Sequence, residues 1–461
     1  MTRMVEMPLW LLVLVLGFAA LTFFSHFLFP SVRWFFRRRM ERAVARLNRR
    51  LVRPIEPFKL MARQDMIVRL VHDPAVSQAV VEHAQAEGVP ESVAFQQARS
   101  YAREIVPGFS ALVYFGFATR AARWLSKAFY RVRVGQVDAA LAGIDRKATV
   151  IFVMNHRSNM DYVLVTWLVA DRSALSYAVG EWARVWPLSR LIRAMGAYFI
   201  RRGSRNTLYR RVLARYVQMA TAEGATQAVF PEGGLSLNGR VGAARMGLLS
   251  YIVTGFDPLA RDVVFVPVAL AYDRVLEDRL LVQAGTAGNR RFRASPLSIL
   301  AFSGRMVWRM IRRRFPGFGT AAVGFGAPVS LRAYLAATPG ATTETLGERL
   351  MAEVALCLPM LPVPLVAAVL ADGPVPRAAM EGALAALLAR LAAVGGVLKL
   401  PPSGAAAALA EGLRALEARG IVQETPAGLA AAPGKASLLA YYAAGVLQRL
   451  ELGSHSATRQ T

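Results

Sequence analysis

The sequence predicts an α/β domain, a central sheet covered by helices, with an amino-terminal membrane-spanning helix before it and a carboxy-terminal helical domain after it. Three observations carry that prediction. From Ala148 onward, short β-branched or aromatic runs alternate with longer helical stretches, the pattern of strands separated by helices. Residues 7–29 form an almost uninterrupted apolar run followed at once by arginines. After about Gly340 the β-rich runs give way to Ala/Leu-rich stretches.

The apolar run, MPLWLLVLVLGFAALTFFSHFLF, is broken only by Thr22, Ser25 and His26. At ~1.5 Å per residue a helix of this length matches a bilayer's hydrocarbon thickness. Arg3 is offset by Glu6 and the aromatics continue to Pro30, which reads against a cleaved leader and for a retained span. Arg33, Arg37, Arg38, Arg39, Arg42, Arg46, Arg49 and Arg50 follow against Glu41 alone. That bias places the rest of the chain on the cytoplasmic face of the cell's inner membrane, as a single-pass protein. The same arginines face anionic phospholipid headgroups, each contributing ~1 kcal/mol near the surface.

From 30 to 133 the sequence reads as a basic juxtamembrane stretch and a helical lead-in. Apolar residues recur at helical spacing, as in Met66, Leu70 and Val71, and Gly88-Val89-Pro90 makes a break. The α/β domain occupies 134–339, with strands expected at 149–153, 197–200, 227–230, 263–266 and 321–323. The helical domain occupies 340–452, and Gly453 onward reads as a frayed tail. A basic, apolar stretch at 296–315 has the composition of an interfacial amphipathic helix or of a helix packed on the core.

Charge and composition narrow the function. Lys and Arg number 56 against 30 Asp and Glu, a net +26, while 55% of the residues are hydrophobic, which excludes a disordered chain. A basic and apolar chain fits an anionic membrane or phosphorylated substrates; no nucleic-acid-binding module is recognisable. The single cysteine, Cys357, excludes a disulfide framework and a thiolate zinc site, and no metal or redox cofactor is implied.

Of five histidines, His156 is the one at the end of an expected strand, in Asn155-His156-Arg157-Ser158-Asn159-Met160-Asp161. Within one helix, residues five apart lie about 140° around the axis, so His156 and Asp161 meet only if His156 sits in the turn before the helix. Asp161 then falls in the first helical turn and its carboxylate bonds one imidazole nitrogen, leaving the other as a general base. A histidine that merely caps its own helix is the alternative. Phe230-Pro231-Glu232-Gly233-Gly234-Leu235-Ser236 follows another strand, with glycines that allow close backbone approach. Gly196-Ala197-Tyr198-Phe199-Ile200-Arg201-Arg202 brings guanidinium groups suited to phosphate to the end of a third. Val266-Pro267-Val268 lies in a fourth strand, where proline ordinarily marks an edge or a bulge.

In this order the four blocks resemble the glycerolipid acyltransferase superfamily, with its HxxxxD, G-x-x-F-I-x-R, F-x-E-G-G and V-P-V signatures. The closer resemblance is to the bacterial membrane-bound glycerol-3-phosphate 1-O-acyltransferase family, from Arg63-Gln64-Asp65 to Leu439-Ala440-Tyr441-Tyr442. The resemblance implies the fold given above and transfer of an acyl group to the sn-1 hydroxyl of glycerol 3-phosphate, giving lysophosphatidate. The donor would be acyl-CoA or acyl carrier protein, as co-substrate rather than cofactor. It makes His156 and Asp161 the catalytic pair and Arg202 the phosphate ligand. Glu232, Gly233, Gly234, Ser236, Arg240 and Arg245 become the remaining substrate contacts. The chain departs from the branch's usual E-G-G-R-S-R, having Leu235 and Leu237 in place of the two arginines. That departure leaves open acylation of 1-acylglycerol 3-phosphate or dihydroxyacetone phosphate, or a catalytically silent membrane scaffold.

Overall fold

A computed structural model describes residues 8–135, 137–170, 172–180, 188–201, 203–288, 308 and 317–458, without the side chains of 20–21, 23–34, 36–37, 40 and 455–458. The chain divides into two compact units, Met1–Pro54 with Asp171–Ser173, and Ile55–Ala170 with Ala174–Thr461.

The first unit is built on one helix, Leu9–Asn48, of 40 residues. Residues 9–29 of the expected bilayer span and the arginines from Arg33 to Arg46 therefore belong to a single continuous helix, which ends before Arg49 and Arg50. Its side chains from Leu9 to Ala19 are all apolar. Among the described residues no helix is long and apolar enough to cross a membrane. From Leu9 to Ala19 all but the half-buried Leu11 stand open to the surroundings, Leu9 at 77% and Phe18 at 69% exposure.

The second unit opens with the expected helical lead-in: Arg63–Val71, Pro74–Glu87, Glu91–Ile105 and Thr119–Phe129, with a π-helical turn at Leu112–Ala118. Asp73 caps the second of these by accepting from Ala75 N at 3.0 Å, and Gly88 ends it in the left-handed conformation. The expected break at Gly88-Val89-Pro90 is thus a helix stop followed by a new start.

Among the described residues, eight strands form one sheet: β1 (Arg131–Val134), β2 (Thr149–Met154), β3 (Ser176–Val179), β4 (Tyr198–Phe199), β5 (Gln227–Val229), β6 (Val263–Tyr272), β7 (Thr320–Phe325) and β8 (Val329–Ser330). Their order is β1-β7-β6-β2-β5-β3-β4, with β8 also pairing with β6. Pairing from β6 through β2, β5, β3 and β4 is parallel, while β7 and β8 run antiparallel to β6. Both β2 and β6 are buried along their whole length, as expected of parallel strands covered by helices on both faces. The sheet begins at Arg131, three residues before the expected boundary at 134, because β1 pairs with β7. Pro267 is not on an edge. It lies in an interior strand, at the break where the antiparallel partner of β6 changes from β8 at Phe265 to β7 at Val268.

Beyond 340 the chain is mainly helical but not free of strands. Two-residue strands β9 (Pro359–Met360) and β10 (Val397–Leu398) pair in parallel, and β11 (Val422–Thr425) and β12 (Gly428–Ala431) form a hairpin. The expectation of helices alone is corrected here: two residues are too few for a period to register, and the hairpin turn is short. The basic stretch at 296–315 lies outside the described residues, apart from Trp308.

Candidate active site

The site forms where β2, β5 and β6 end, the place where chemistry gathers in an open α/β sheet. Met154 closes β2 opposite Val268, whereas β6 continues to Tyr272. Asn155 bridges the resulting overhang: its Nδ2 donates to Leu270 O at 3.0 Å and its Oδ1 accepts from Leu270 N at 2.8 Å. The chain then turns out of the sheet through 156–159 and enters the helix Met160–Val169.

His156 sits in that turn and Asp161 in the first helical turn, the arrangement the spacing required. The imidazole Nδ1 is 2.9 Å from Asp161 Oδ2, with His156 at 2% exposure and Asp161 at 0%. A carboxylate on Nδ1 favours the tautomer with the proton there and a free lone pair on Nε2. The ring plane is fixed by Phe230, 4.4 Å away between centroids, and by Tyr162 edge-on at 5.4 Å.

Four consecutive backbone N–H groups of this turn are accepted by three carboxylates. His156 N donates to Glu232 at 3.1 Å, Arg157 N and Ser158 N to Asp161 at 2.7 and 3.1 Å, and Asn159 N to Glu277 at 3.2 Å. Burial pushes the Glu232 carboxyl up to about 7, although the His156 N–H and the Arg157 charge pull the other way. Burial also raises Glu277, against the bonds from Ser158 and Asn159. Tyr272, at the tip of β6, donates its hydroxyl to Asp161 Oδ1 at 2.7 Å.

The Glu232 loop is drawn against the same turn, Ser236 N donating to His156 O at 2.8 Å. Gly233 has φ +66°, and a Cβ there would meet the Arg245 Cδ at 2.7 Å, so the aliphatic part of Arg245 lies directly over this glycine. Gly239 has φ +79° and lies so close to the Tyr441 carbonyl that any side chain would collide with it. Arg157, 96% buried, donates to Gly239 O and stacks 5.2 Å from the Tyr441 ring centroid, tying the turn to the last helix.

Beside Glu232 opens a cavity of about 960 Å³. Its wall includes Gly234, Leu235, Ser236, Leu237, Arg240 and Arg245, together with apolar residues of the carboxy-terminal region such as Ala440, Ala444 and Leu447. His156, Asp161, Glu232, Gly233, Gly234 and Ser236 are therefore brought together, and Arg245 lies with them. Arg240 lines the cavity with its guanidinium paired to Glu451. Arg202 lies outside the described residues. Its neighbour Arg201 is committed to Glu104, with Nε at 2.9 Å from Oε1 and Nη2 at 2.6 Å from Oε2, between the rings of Tyr101 and Tyr209. Of the other histidines, His72 packs on Phe95 and His83 lies 3.1 Å from Gln97, both in the lead-in helices.

Sequence reasoning passed over Asn155, Tyr272 and Glu277. The first stands immediately before the HxxxxD block; the other two follow the V-P-V block in Tyr272-Asp273-Arg274-Val275-Leu276-Glu277, where a tyrosine and a carboxylate at a strand end were the available signal.

Residues 136–271 match the family described as Acyltransferase, and 304–449 match the Glycerol-3-phosphate acyltransferase C-terminal region. A glycerol-3-phosphate acyltransferase of Pseudomonas putida (strain GB-1) is 32% identical over 59% of this chain and 32% of its own length. One from Aeromonas hydrophila is 30% identical over 63% of this chain and 35% of its own. The chain thus spans about a third of the length of the curated relatives it matches. A solved structure, the 1-acyl-sn-glycerophosphate (LPA) acyltransferase PlsC from Thermotoga maritima, is 20% identical and covers 52% of this chain and 78% of that one, with a TM-score of 0.30. In its two matched regions the chain is similar to the acyltransferases, and the curated proteins that it matches are bacterial glycerol-3-phosphate acyltransferases.

Proposed function

We propose that the chain transfers a fatty acyl group from an acyl thioester, acyl-CoA or acyl carrier protein, to the sn-1 hydroxyl of glycerol 3-phosphate, releasing lysophosphatidate. The observation that carries this reading is the His156–Asp161 pair at 2.9 Å, joined by backbone hydrogen bonds of His156 to Glu232 and Ser236 on the wall of a large cavity with apolar and arginine sides. His156 Nε2 takes the hydroxyl proton as the oxygen attacks the thioester carbonyl, and Asp161 stabilises the imidazolium that forms. Collapse of the tetrahedral intermediate breaks the C–S bond, and the proton passes to the departing sulfur. No acyl-enzyme is required, and the one cysteine, Cys357, has its thiol pushed up to about 12 by burial. Arg245, and Arg202 beyond the described residues, are the proposed partners of the acceptor phosphate. Glu232, Gly233, Gly234, Ser236 and Arg240 shape the wall against which it lies.

Attachment to an anionic phospholipid membrane, with catalysis on the cytoplasmic side of the inner membrane, belongs to the same proposal. It is supported by the exposed apolar residues of the helix Leu9–Asn48 and by the exposed Arg38, Arg39, Arg42 and Arg46 further along it. The lysophosphatidate product then partitions directly into the bilayer.

Leu235 and Leu237 on the cavity wall favour a second reading, an acceptor that already carries an acyl chain, 1-acylglycerol 3-phosphate. The test is the purified chain with one acyl-CoA and each acceptor in turn, glycerol 3-phosphate, 1-acylglycerol 3-phosphate and dihydroxyacetone phosphate. Glycerol 3-phosphate is expected to give the highest kcat/KM; preference for the lysophospholipid selects the second reading. His156→Ala is expected to lower kcat by about 10²–10⁴-fold. Unchanged transfer by that variant would overturn His156 as the general base, and no transfer by the wild type to any acceptor would leave a scaffold as the remaining reading.

A further inference from the structure

The turn that carries His156 is held by a residue far from it in sequence. Glu277 precedes the helix Asp278–Thr286, yet its side chain makes no capping bond to that helix. Its carboxylate points instead at the turn. Oε2 accepts from Ser158 Oγ at 2.8 Å, and Oε1 accepts from Asn159 N at 3.2 Å and Asn159 Nδ2 at 3.0 Å. Ser158 Oγ in turn accepts from Met160 N at 3.2 Å, at the first residue of the helix that bears Asp161. Asp161 thus holds the turn from within, through the N–H groups of Arg157 and Ser158, and Glu277 holds it from the side of β6.

The residue after Glu277 is anchored from the carboxy-terminal region. Asp278 accepts from Arg419 and, at 2.5 Å, from the Tyr442 hydroxyl, while that same hydroxyl accepts from Arg419 Nη1 at 2.9 Å and from Val275 N at 3.2 Å. Both the backbone before Glu277 and the side chain after it are fixed by Tyr442. A desolvated carboxylate is expensive to bury without donors, and Glu277 spends its acceptors on this turn rather than on its own helix.

Resting on the acyltransferase reading above, we propose that Glu277 is a positioning residue for the general base. It clamps Ser158 and Asn159 so that the His156 imidazole stays aimed at Asp161, and the Tyr442–Asp278–Arg419 cluster sets the clamp from the carboxy-terminal region. A helix-start carboxylate of purely structural use would alter stability alone.

The test compares Glu277→Ala, Glu277→Gln and Asp273→Asn in the full chain. Asp273 is a buried carboxylate of the same segment that accepts from Thr320 N and Val363 N and makes no bond to the turn. Misaiming the base by an ångström costs about 10²-fold. Glu277→Ala is expected to lose kcat on that order with KM for glycerol 3-phosphate unchanged. Glu277→Gln, which keeps an acceptor oxygen, recovers most of it, and Asp273→Asn keeps the wild-type kcat. Nitrogen-15 NMR of the His156 ring gives a second readout that needs no turnover: the Nδ1-protonated signal of the wild type is lost in Glu277→Ala and kept in Asp273→Asn. A folded Glu277→Ala protein with wild-type kcat and an unchanged imidazole signal overturns the proposal. Should the wild type transfer acyl groups to no acceptor, the acyltransferase reading fails and the imidazole signal alone decides on Glu277. If Glu277→Ala does not fold, Ser158→Ala with Asn159→Ala removes the two side-chain donors instead. It is expected to lower kcat and disturb the same signal, and no change in either overturns the clamp.

Discussion

Tyr272 donates its hydroxyl to Asp161 Oδ1, the oxygen that His156 leaves free. Every described bond to that carboxylate therefore comes from the turn or from the tip of β6, and its charge is kept where an imidazolium would form. Burial, followed by the Asp161 charge, raises the Tyr272 phenol well above its ordinary value, so it remains a donor throughout the working range.

Removing that donor tests the arrangement. Tyr272→Phe leaves Asp161 Oδ1 buried without its partner, a loss of about 1–3 kcal/mol in unfolding free energy. Urea denaturation measures it. kcat is expected to fall as well, because a carboxylate short of a donor rotates away from its placement on His156. Unchanged stability would mean that water replaces the hydroxyl.

The Glu232 carboxyl, pushed up to about 7 by burial, predicts a pH dependence of opposite sign to that of an exposed ion-paired acid. Its pKa is higher folded than unfolded, so between about 4.5 and 7 the folded chain binds the proton more tightly. Stability contributed by this group is full at low pH and is lost as pH rises through that window. Glu232→Gln, which keeps an oxygen for the His156 N–H, is expected to gain on the wild type between pH 5 and pH 8. Denaturant midpoints at the two pH values check this; a difference that does not vary with pH would place the titration elsewhere.

Leu235 and Leu237 line the cavity where the related branch carries arginines. Leu235→Arg with Leu237→Arg is expected to raise kcat/KM for glycerol 3-phosphate by about tenfold, the value of one added charge-assisted phosphate contact. Steady-state kinetics with glycerol 3-phosphate as the varied acceptor reads it. An unchanged kcat/KM would put the phosphate on another wall.

Arg419 and Asp278 form an ion pair whose side chains are only 12% and 5% exposed. Arg419→Ala strands a buried carboxylate, for which the usual loss is about 3–5 kcal/mol. Arg419→Ala with Asp278→Ala removes both charges and is expected to be more stable than Arg419→Ala alone, as a double-mutant cycle in urea would show.

The parts of the site that were legible in the sequence are those whose chemistry is local. His156 and Asp161 are five residues apart, and a strand end followed by a helix start can join them in one way. Glu232 stands at another strand end with glycines behind it. Tyr272 and Glu277 were hidden because their contacts depend on how far β6 extends past β2, which is a property of the paired sheet. Arg201 is diverted from phosphate by Glu104, a partner on a lead-in helix that nothing near Arg201 announces. Strands β4, β8, β9 and β10 are two residues long, below the length at which alternation can be seen. Of these, β4 was legible only because the expected run at 197–200 encloses it.

Asn155 gives the sheet a lock on its own alignment. Its amide presents one donor and one acceptor to Leu270, as a further backbone rung would, while the main chain itself has already turned away. If β2 slid by one residue along β6, either Met154 or His156 would face Leu270, and neither presents an N–H and a carbonyl oxygen side by side as the Asn155 amide does. Strand alignment and placement of the base are therefore one event in folding: a chain that pairs β2 correctly has already put its imidazole where the acid waits for it.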